Sequence, residues 1–279
     1  MRWIGTLTKL WAWFSFILVT MIILFLFGYV FDRGVGSISV EFLTQSPKGM
    51  VLGAEGGIWP AIVGSLYFTG AAVVLGSIPA IAVALYQVFY CKSKKMASFI
   101  RLVMECISGL PSIVLGLFSY TVLVRDLGLG RCILAASAAL AIMILPFIEV
   151  RAEKAFREIP DLVIQSAYAL GCSKAYTIAK VVLPASRGEL ISGMILGGCY
   201  AMGATAPVMF TGAVAYAAVP HSLLSPAMSL PLHLYLLLSQ GATSMPAVYG
   251  TAFVMMVLIL AGNMTAAIYA EHCRKKWSA

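Results

Sequence analysis

Charge is scarce in this sequence. Of its 279 residues, 11% are Asp, Glu, Lys or Arg and 61% are hydrophobic. A soluble domain carries about 25% charged residues to keep its surface solvated, so this chain cannot cover a water-facing globule, and most of it must face lipid. Disorder is excluded on the same figures. The six cysteines are sparse and form no C-x-x-C pair, which excludes a disulfide scaffold and reads as free thiols in apolar surroundings. No G-x-x-x-x-G-K-[ST] run occurs, so the chain carries no phosphate-cradling loop of its own. What remains is an integral membrane protein with a few charges to be explained.

Long apolar runs are what the chain has instead. Residues 10–31 are uncharged, and at 1.5 Å per residue they span about 33 Å, enough to cross a bilayer core of roughly 30 Å. A signal peptide would have an apolar region of about 7–15 residues and a small-x-small cleavage site. This run is longer and ends in Gly28-Tyr29-Val30-Phe31-Asp32, so it reads as an uncleaved first span. A second span starts near Pro60 and ends near Tyr90, a third covers about 102–124 and a fourth about 132–148. Residues 149–189 then have ordinary soluble chemistry. From 190 to 270 no charged residue appears, which accommodates spans at about 190–213 and 246–269. Between them, Pro220, Pro226 and Pro231 leave 232–240 as the clean apolar run. That is too short to cross, and reads as a re-entrant or interfacial hairpin within 216–245.

The expected fold is therefore all-α, with six transmembrane helices. With both termini inside, the inner segments hold 15 of the 19 Lys and Arg residues, leaving Arg33, Lys48, Arg125 and Arg131 outside. Positive charge concentrates on the cytoplasmic side. The net charge of +8 is thus a topology signal that needs no nucleic acid to explain it.

The segment 149–189 is the most informative. Pro160 cannot continue a helix but can start one, with Asp161 at the positive end of the new helix. Leu162, Val163, Ser166, Ala167 and Leu170 recur at helical spacing, giving one apolar face. Gly171 suits a left-handed helix end, Ser173 can cap a second helix, and Pro184 is expected to stop it. A helix-turn-helix with an apolar stripe and no core of its own is either a solvated connector or a docking element, and the stripe favours docking.

These residues carry a resemblance. Gln165-Ser166-Ala167-x-x-x-Gly171, then nine residues, then Val181-x-Leu183-Pro184 resembles the EAA loop of ABC importer permeases, Glu-Ala-Ala-x-x-x-Gly followed by Ile-x-Leu-Pro. Residues 109–118, from Gly109-Leu110-Pro111-Ser112 to Gly116-Leu117-Phe118, and Ser225-Pro226-Ala227-Met228-x-Leu230-Pro231 resemble segments of PstA-type phosphate permeases. The likeness runs from about 58 to 270. It implies a type I ABC importer (MetI-like) core at 58–270, preceded by a helix and outer loop at 1–57 and followed by a basic tail at 271–279. It also implies that Gln165, Ser166, Ala167, Gly171, Leu183 and Pro184 couple the chain to a cytoplasmic ATPase dimer, which uses ATP and Mg. The other implied partners are a second, PstC-like permease and an extracytoplasmic phosphate-binding protein. One departure stands out. The family's Arg-Ala-x-Gly-Glu-Thr-Ala-Pro is here Tyr200-Ala201-Met202-Gly203-Ala204-Thr205-Ala206-Pro207, neutral at both charged positions.

An anion path should use broken helices that expose backbone N–H groups to a cavity. Pro79, Pro111, Pro146 and Pro207 are expected to interrupt spans two to five, and Ser112, Tyr200 and Thr205 to offer hydroxyls; the alternative role for such residues is helix–helix glue. Glu105 lies four residues after Arg101 and is expected to pair with it. His221 and His233 read as polar residues of the outer hairpin, with no metal-ligand set beside them. A secondary transporter would need coupling charges within spans, of which there are almost none, and a membrane enzyme a convergent set of His, Asp or metal ligands, which is absent; a non-ABC secondary transporter stays as the lesser alternative. Another oxyanion, such as molybdate or sulfate, is the alternative substrate.

Overall fold

The computed structural model describes residues 2–49, 51–241 and 245–278. The side chains of Arg2, Arg274, Lys275 and Lys276, counted above as inner charges, lie outside the described part, as do residues 242–244 of the outer hairpin. The chain opens with α1 (Arg2–Val35), α2 (Val40–Thr44) and a small antiparallel ribbon of β1 (Pro47–Lys48) and β2 (Glu55–Gly56). Helix α3 (Trp59–Leu85) runs into a π turn, π1 (Tyr86–Tyr90). Then come α4 (Lys94–Gly109), α5 (Ser112–Ser119), π2 (Tyr120–Asp126) and α6 (Ile133–Arg157). The loop region holds α7 (Asp161–Ala169), α8 (Lys174–Thr177) and π3 (Ile178–Val182), and the chain finishes with α9 (Leu183–Met202), α10 (Ala206–Thr211), α11 (Leu230–Ser239) and α12 (Met245–Ser278).

Among the described residues four helical segments are long and apolar enough to cross a bilayer, Thr8–Val35, Trp59–Tyr90, Ile133–Arg157 and Met245–Cys273, or five where a bent pair counts as one span, against the six expected. The four coincide with expected spans. The third and fifth expected spans take other forms. Lys94–Gly109 and Ser112–Asp126 meet at 97°, because the ring of Pro111 forces Leu110 into extended backbone (φ −70°, ψ 129°). In place of one helix over 190–213, α9 stops at Met202 and α10 begins at Ala206, with Pro207 in its first turn. Pro79 and Pro146 were expected to break their spans, yet α3 and α6 run straight through them; packed neighbours hold such helices together across a lost hydrogen bond. Pro184 likewise does not end its helix. The chain stays helical from Lys174 to Met202, and the wide turn of π3 directly ahead of Pro184 accommodates the missing N–H.

The core is α3 against α6, with α9 packed on both. Lipid gives apolar helices no reason to leave it, so they associate through close packing of small residues and occasional hydrogen bonds. Ala72, Ala80, Ala136 and Ala139 are fully buried here, and Ser137 Oγ donates to the Phe68 carbonyl across the interface at 3.1 Å. A Cβ on Gly76 would come within 3.0 Å of the Ala141 carbonyl oxygen. At one end of the bundle Ala84, Ala152, Phe156, Val182 and Leu190 close around the loop region. At the other, Leu52, Ile58, Met228, Leu230, Leu237 and Val248 seal α11 against α3 and α12. Helix α1 stands apart: its apolar window buries nothing, and it meets α12 through Tyr29–Tyr249 (hydroxyls 3.0 Å apart) and Phe31–Phe253.

Candidate functional site

The helix-turn-helix between α6 and α9 has the expected geometry. Pro160 caps α7 with extended backbone, and Asp161 occupies its first turn. Gly171 has φ +78°. Its N–H donates to the Tyr168 carbonyl at 2.9 Å, and the N–H of Cys172 to that of Ala167 at 3.1 Å, the paired bonds of a Schellman helix end. Ser173 Oγ then accepts from the Tyr176 N–H at 3.3 Å to start α8. Gln165 and Ser166 are exposed and Ala167 is buried, while Leu183 and Pro184 are half-buried where α9 begins. Leu162 is 74% and Leu170 84% exposed. Two large leucines are thus left bare on the loop between α6 and α9.

A cavity of about 760 Å³ lies between π1, α4, α5, α6 and α9. Two of the three candidate path residues line it. Ser112, the first residue of α5, and Tyr200, 57% exposed on α9, both face it; Thr205, at the start of α10, is not among its lining residues. The Tyr200 ring stacks on Phe147 at 6.1 Å, and the Arg151 guanidinium sits 4.8 Å from the centre of the Phe147 ring. Ala204 packs instead against the apolar core beside Leu140 and Val208. A carboxylate there would be desolvated, so its loss together with the neighbouring Arg is physically consistent.

The remaining polar wall consists of Gln87, Arg101, Glu105, Ser108, Glu149, Arg151 and Glu153. Glu149 is 2% exposed and accepts a hydrogen bond from the Gln87 amide. Glu153 is engaged by Arg157 at 2.6 Å. The expected Arg101–Glu105 pair is not formed. The ion pairs among the described residues are Arg125–Asp126, Lys154–Glu158 and Arg157–Glu153, so neither Arg101 nor Arg151 is in a salt bridge, although Arg101 lies close enough to Glu149 to act on its charge. Sequence reasoning missed Glu149 and Gln87. The first was counted as the start of a soluble loop, although no helix breaker separates Pro146 from Pro160; the second gives no signal inside an uncharged run. His233 is a polar interface residue, as expected. It is buried in α11 with Nδ1 3.3 Å from Thr251 Oγ1 of α12, because the hairpin folds under that helix.

Residues 72–275 match the family described as binding-protein-dependent transport system inner membrane component. The chain belongs to this family. It is 31% identical over 209 residues to the probable phosphate transport system permease protein PstA of Methanocaldococcus jannaschii, covering 75% of this chain and 74% of that protein. It is 27% identical to phosphate transport system permease protein PstA 1 of Mycobacterium tuberculosis (91% of this chain, 84% of that protein). With PstA of Haemophilus influenzae the identity is 26% (84% and 82%). Among solved structures, the MetNI methionine ABC transporter in an inward-facing conformation matches 77% of this chain and 97% of its own at a TM-score of 0.59 and 17% identity, a likeness of fold. The PstA-type resemblance and the importer-permease fold thus both hold, and a permease of this family works with a separate ATPase. Helix α1 lies outside the family match.

Proposed function

We propose that this chain is a permease subunit of an ATP-driven importer that carries inorganic phosphate across the cytoplasmic membrane. The cavity is the observation that supports the substrate class. Arg101 and Arg151 reach its wall outside any salt bridge, beside the Ser112 hydroxyl and the Tyr200 ring and in the company of Glu105, Glu149 and Glu153. A guanidinium offers a planar fork of donors suited to an oxyanion. Moving each negative charge inward against an inside-negative potential costs about 2.3 kcal/mol per 100 mV, so uphill uptake needs an energy source that this chain lacks. A separate ATPase dimer using ATP and Mg supplies it by docking on Gln165, Ser166, Ala167, Gly171, Leu183 and Pro184, with Leu162 and Leu170 as apolar contacts. A binding protein delivers the anion on the opposite face, and a second, PstC-like permease completes the path across the exposed side of α5, where Ile113, Val114, Leu117 and Phe118 face outward. Both termini then lie in the cytoplasm.

Tyr200 and Ala204, neutral where the family carries Arg and Glu, favour a second reading in which another oxyanion such as molybdate or sulfate is carried. Reconstitution with the partner subunits separates the two. ATP-dependent uptake of phosphate, uncompeted by sulfate or molybdate, is expected; uptake without ATPase would sink the mechanism, and preference for another anion would sink the substrate. Arg151→Gln should lower uptake about tenfold, the loss of one charge-assisted hydrogen bond, while the complex still assembles.

A further inference from the structure

Helix α3 does not finish as an α-helix. Its last turn, π1, is a wide turn closed by the Cys91 N–H on the Tyr86 carbonyl at 2.8 Å, and such turns recur at functional sites. Two polar side chains engage this one turn from two directions. From within π1, the Gln87 amide donates to the buried carboxylate of Glu149 on α6, and both residues line the cavity. From outside, Lys174, the first residue of α8, donates its ammonium to the Phe89 carbonyl and lies 4.3 Å from the centre of the Tyr90 ring. A cation on the orphan carbonyls of a helix end is favourable both as a hydrogen bond and in the helix field. Lys174 is half-buried and follows the Gly171 corner and the Ser173 cap directly. Behind the turn, Phe89 packs on Phe156 at 6.0 Å in the buried cluster that joins α3, α6 and α9. The turn is thus gripped by the docking loop on one side and holds the cavity wall on the other.

We propose that Lys174 and Gln87 are positioning residues that link the ATPase-docking loop to the anion cavity through π1. This rests on the transport reading above. A shift of α8 moves Lys174, and with it the Phe89 carbonyl and Tyr90 ring. Gln87 lies two residues away in the same turn, so its amide moves relative to Glu149. Glu149 is shielded from water and has this amide as its hydrogen-bonding partner, so its position in the cavity wall follows the state of the turn. In this scheme Lys174 acts through the Phe89 carbonyl and not through the ATPase, and Gln87 acts through Glu149 in the cavity wall.

The test is a double-mutant cycle in the reconstituted transporter, reading phosphate taken up per ATP hydrolysed. Lys174→Met and Gln87→Leu should each lower that ratio by roughly fivefold or more, with the ATPase retained at wild-type stoichiometry. Lys174→Arg, which keeps cation and donor, should restore most of it. The double variant should be no worse than the weaker single variant, because both cut one linkage. Effects that multiply, an unchanged ratio, or loss of the ATPase from the Lys174→Met complex would each overturn the proposal. A second measurement does not depend on transport: hydrogen exchange at the amides of residues 86–91 should slow when the ATPase binds, and Lys174→Met should abolish that change. A wild-type complex that takes up no phosphate overturns the transport reading alone. The linkage is then decided by exchange, where no change on ATPase binding refutes it.

Discussion

Gly171 shows how one residue sets the docking geometry. At φ +78° with open space around the missing Cβ, an alanine meets no clash but pays the left-handed penalty of about 1–2 kcal/mol. Gly171→Ala should therefore weaken ATPase retention measurably by pull-down, while Gly171→Pro, whose ring holds φ near −65°, should abolish it; full retention in both would refute the docking role. Ala204 makes the opposite kind of statement. It is half-buried against Leu140 and Val208, so Ala204→Glu should lower thermal stability by about 1–2 kcal/mol, the cost of partly desolvating a charge. Adding Tyr200→Arg should recover part of the loss, visible as a second shift in the melting temperature. The neutral pair is then a joint replacement and not two independent ones.

Among the elements, the broken ones position the site and the unbroken ones carry it. The bend at Pro111 turns α4 away from α5 and opens the space that becomes the cavity. Helix α10 stays beside α5 because Gly116 lets the backbones approach: a Cβ there would lie 3.0 Å from the Ala206 carbonyl oxygen. Gly116→Leu should push α10 off α5 and lower the melting temperature in detergent by several degrees; an unchanged melting curve would remove this contact from the account. The docking helix-turn-helix was legible residue by residue, since Pro160, Gly171 and Ser173 act through local backbone rules. The fate of each proline within a span was not. Pro79 and Pro146 sit in the most tightly packed helix pair and are carried through, whereas Pro111 and Pro207 lie where the chain turns.

For the whole molecule, sidedness is the property on which every partner depends. One set of ends of α3, α6, α9 and α12 converges near the loop between α6 and α9, seen in Phe89 on Phe156, Lys174 on Phe89 and Gly188 against Cys273, and this end is the one expected to be cytoplasmic. A reporter fused after residue 279 should read as cytoplasmic, and a tag inserted at Gly49, in the open turn of the β1–β2 ribbon, as extracytoplasmic. The reverse result would invert the placement of the ATPase and the binding protein. The cavity opens beside the exposed apolar face of α5, which fits a path shared with a second permease.

The sequence by itself determined the class, four of the helical spans and the glycine corner of the loop after α6, and it set the expected sidedness. Those properties follow from transfer free energy, charge distribution and local backbone preference, which act on neighbouring residues and can be read along the chain. Tertiary structure decided which prolines break their helices and which hydroxyls reach the cavity. It also made Glu149 a buried wall residue instead of the first residue of a solvated loop. These outcomes depend on which helices meet and how closely. Residues 62 and 85 positions apart, Gln87 with Glu149 and Lys174 with Phe89, come together through the packing of small residues that have no distinctive signal of their own.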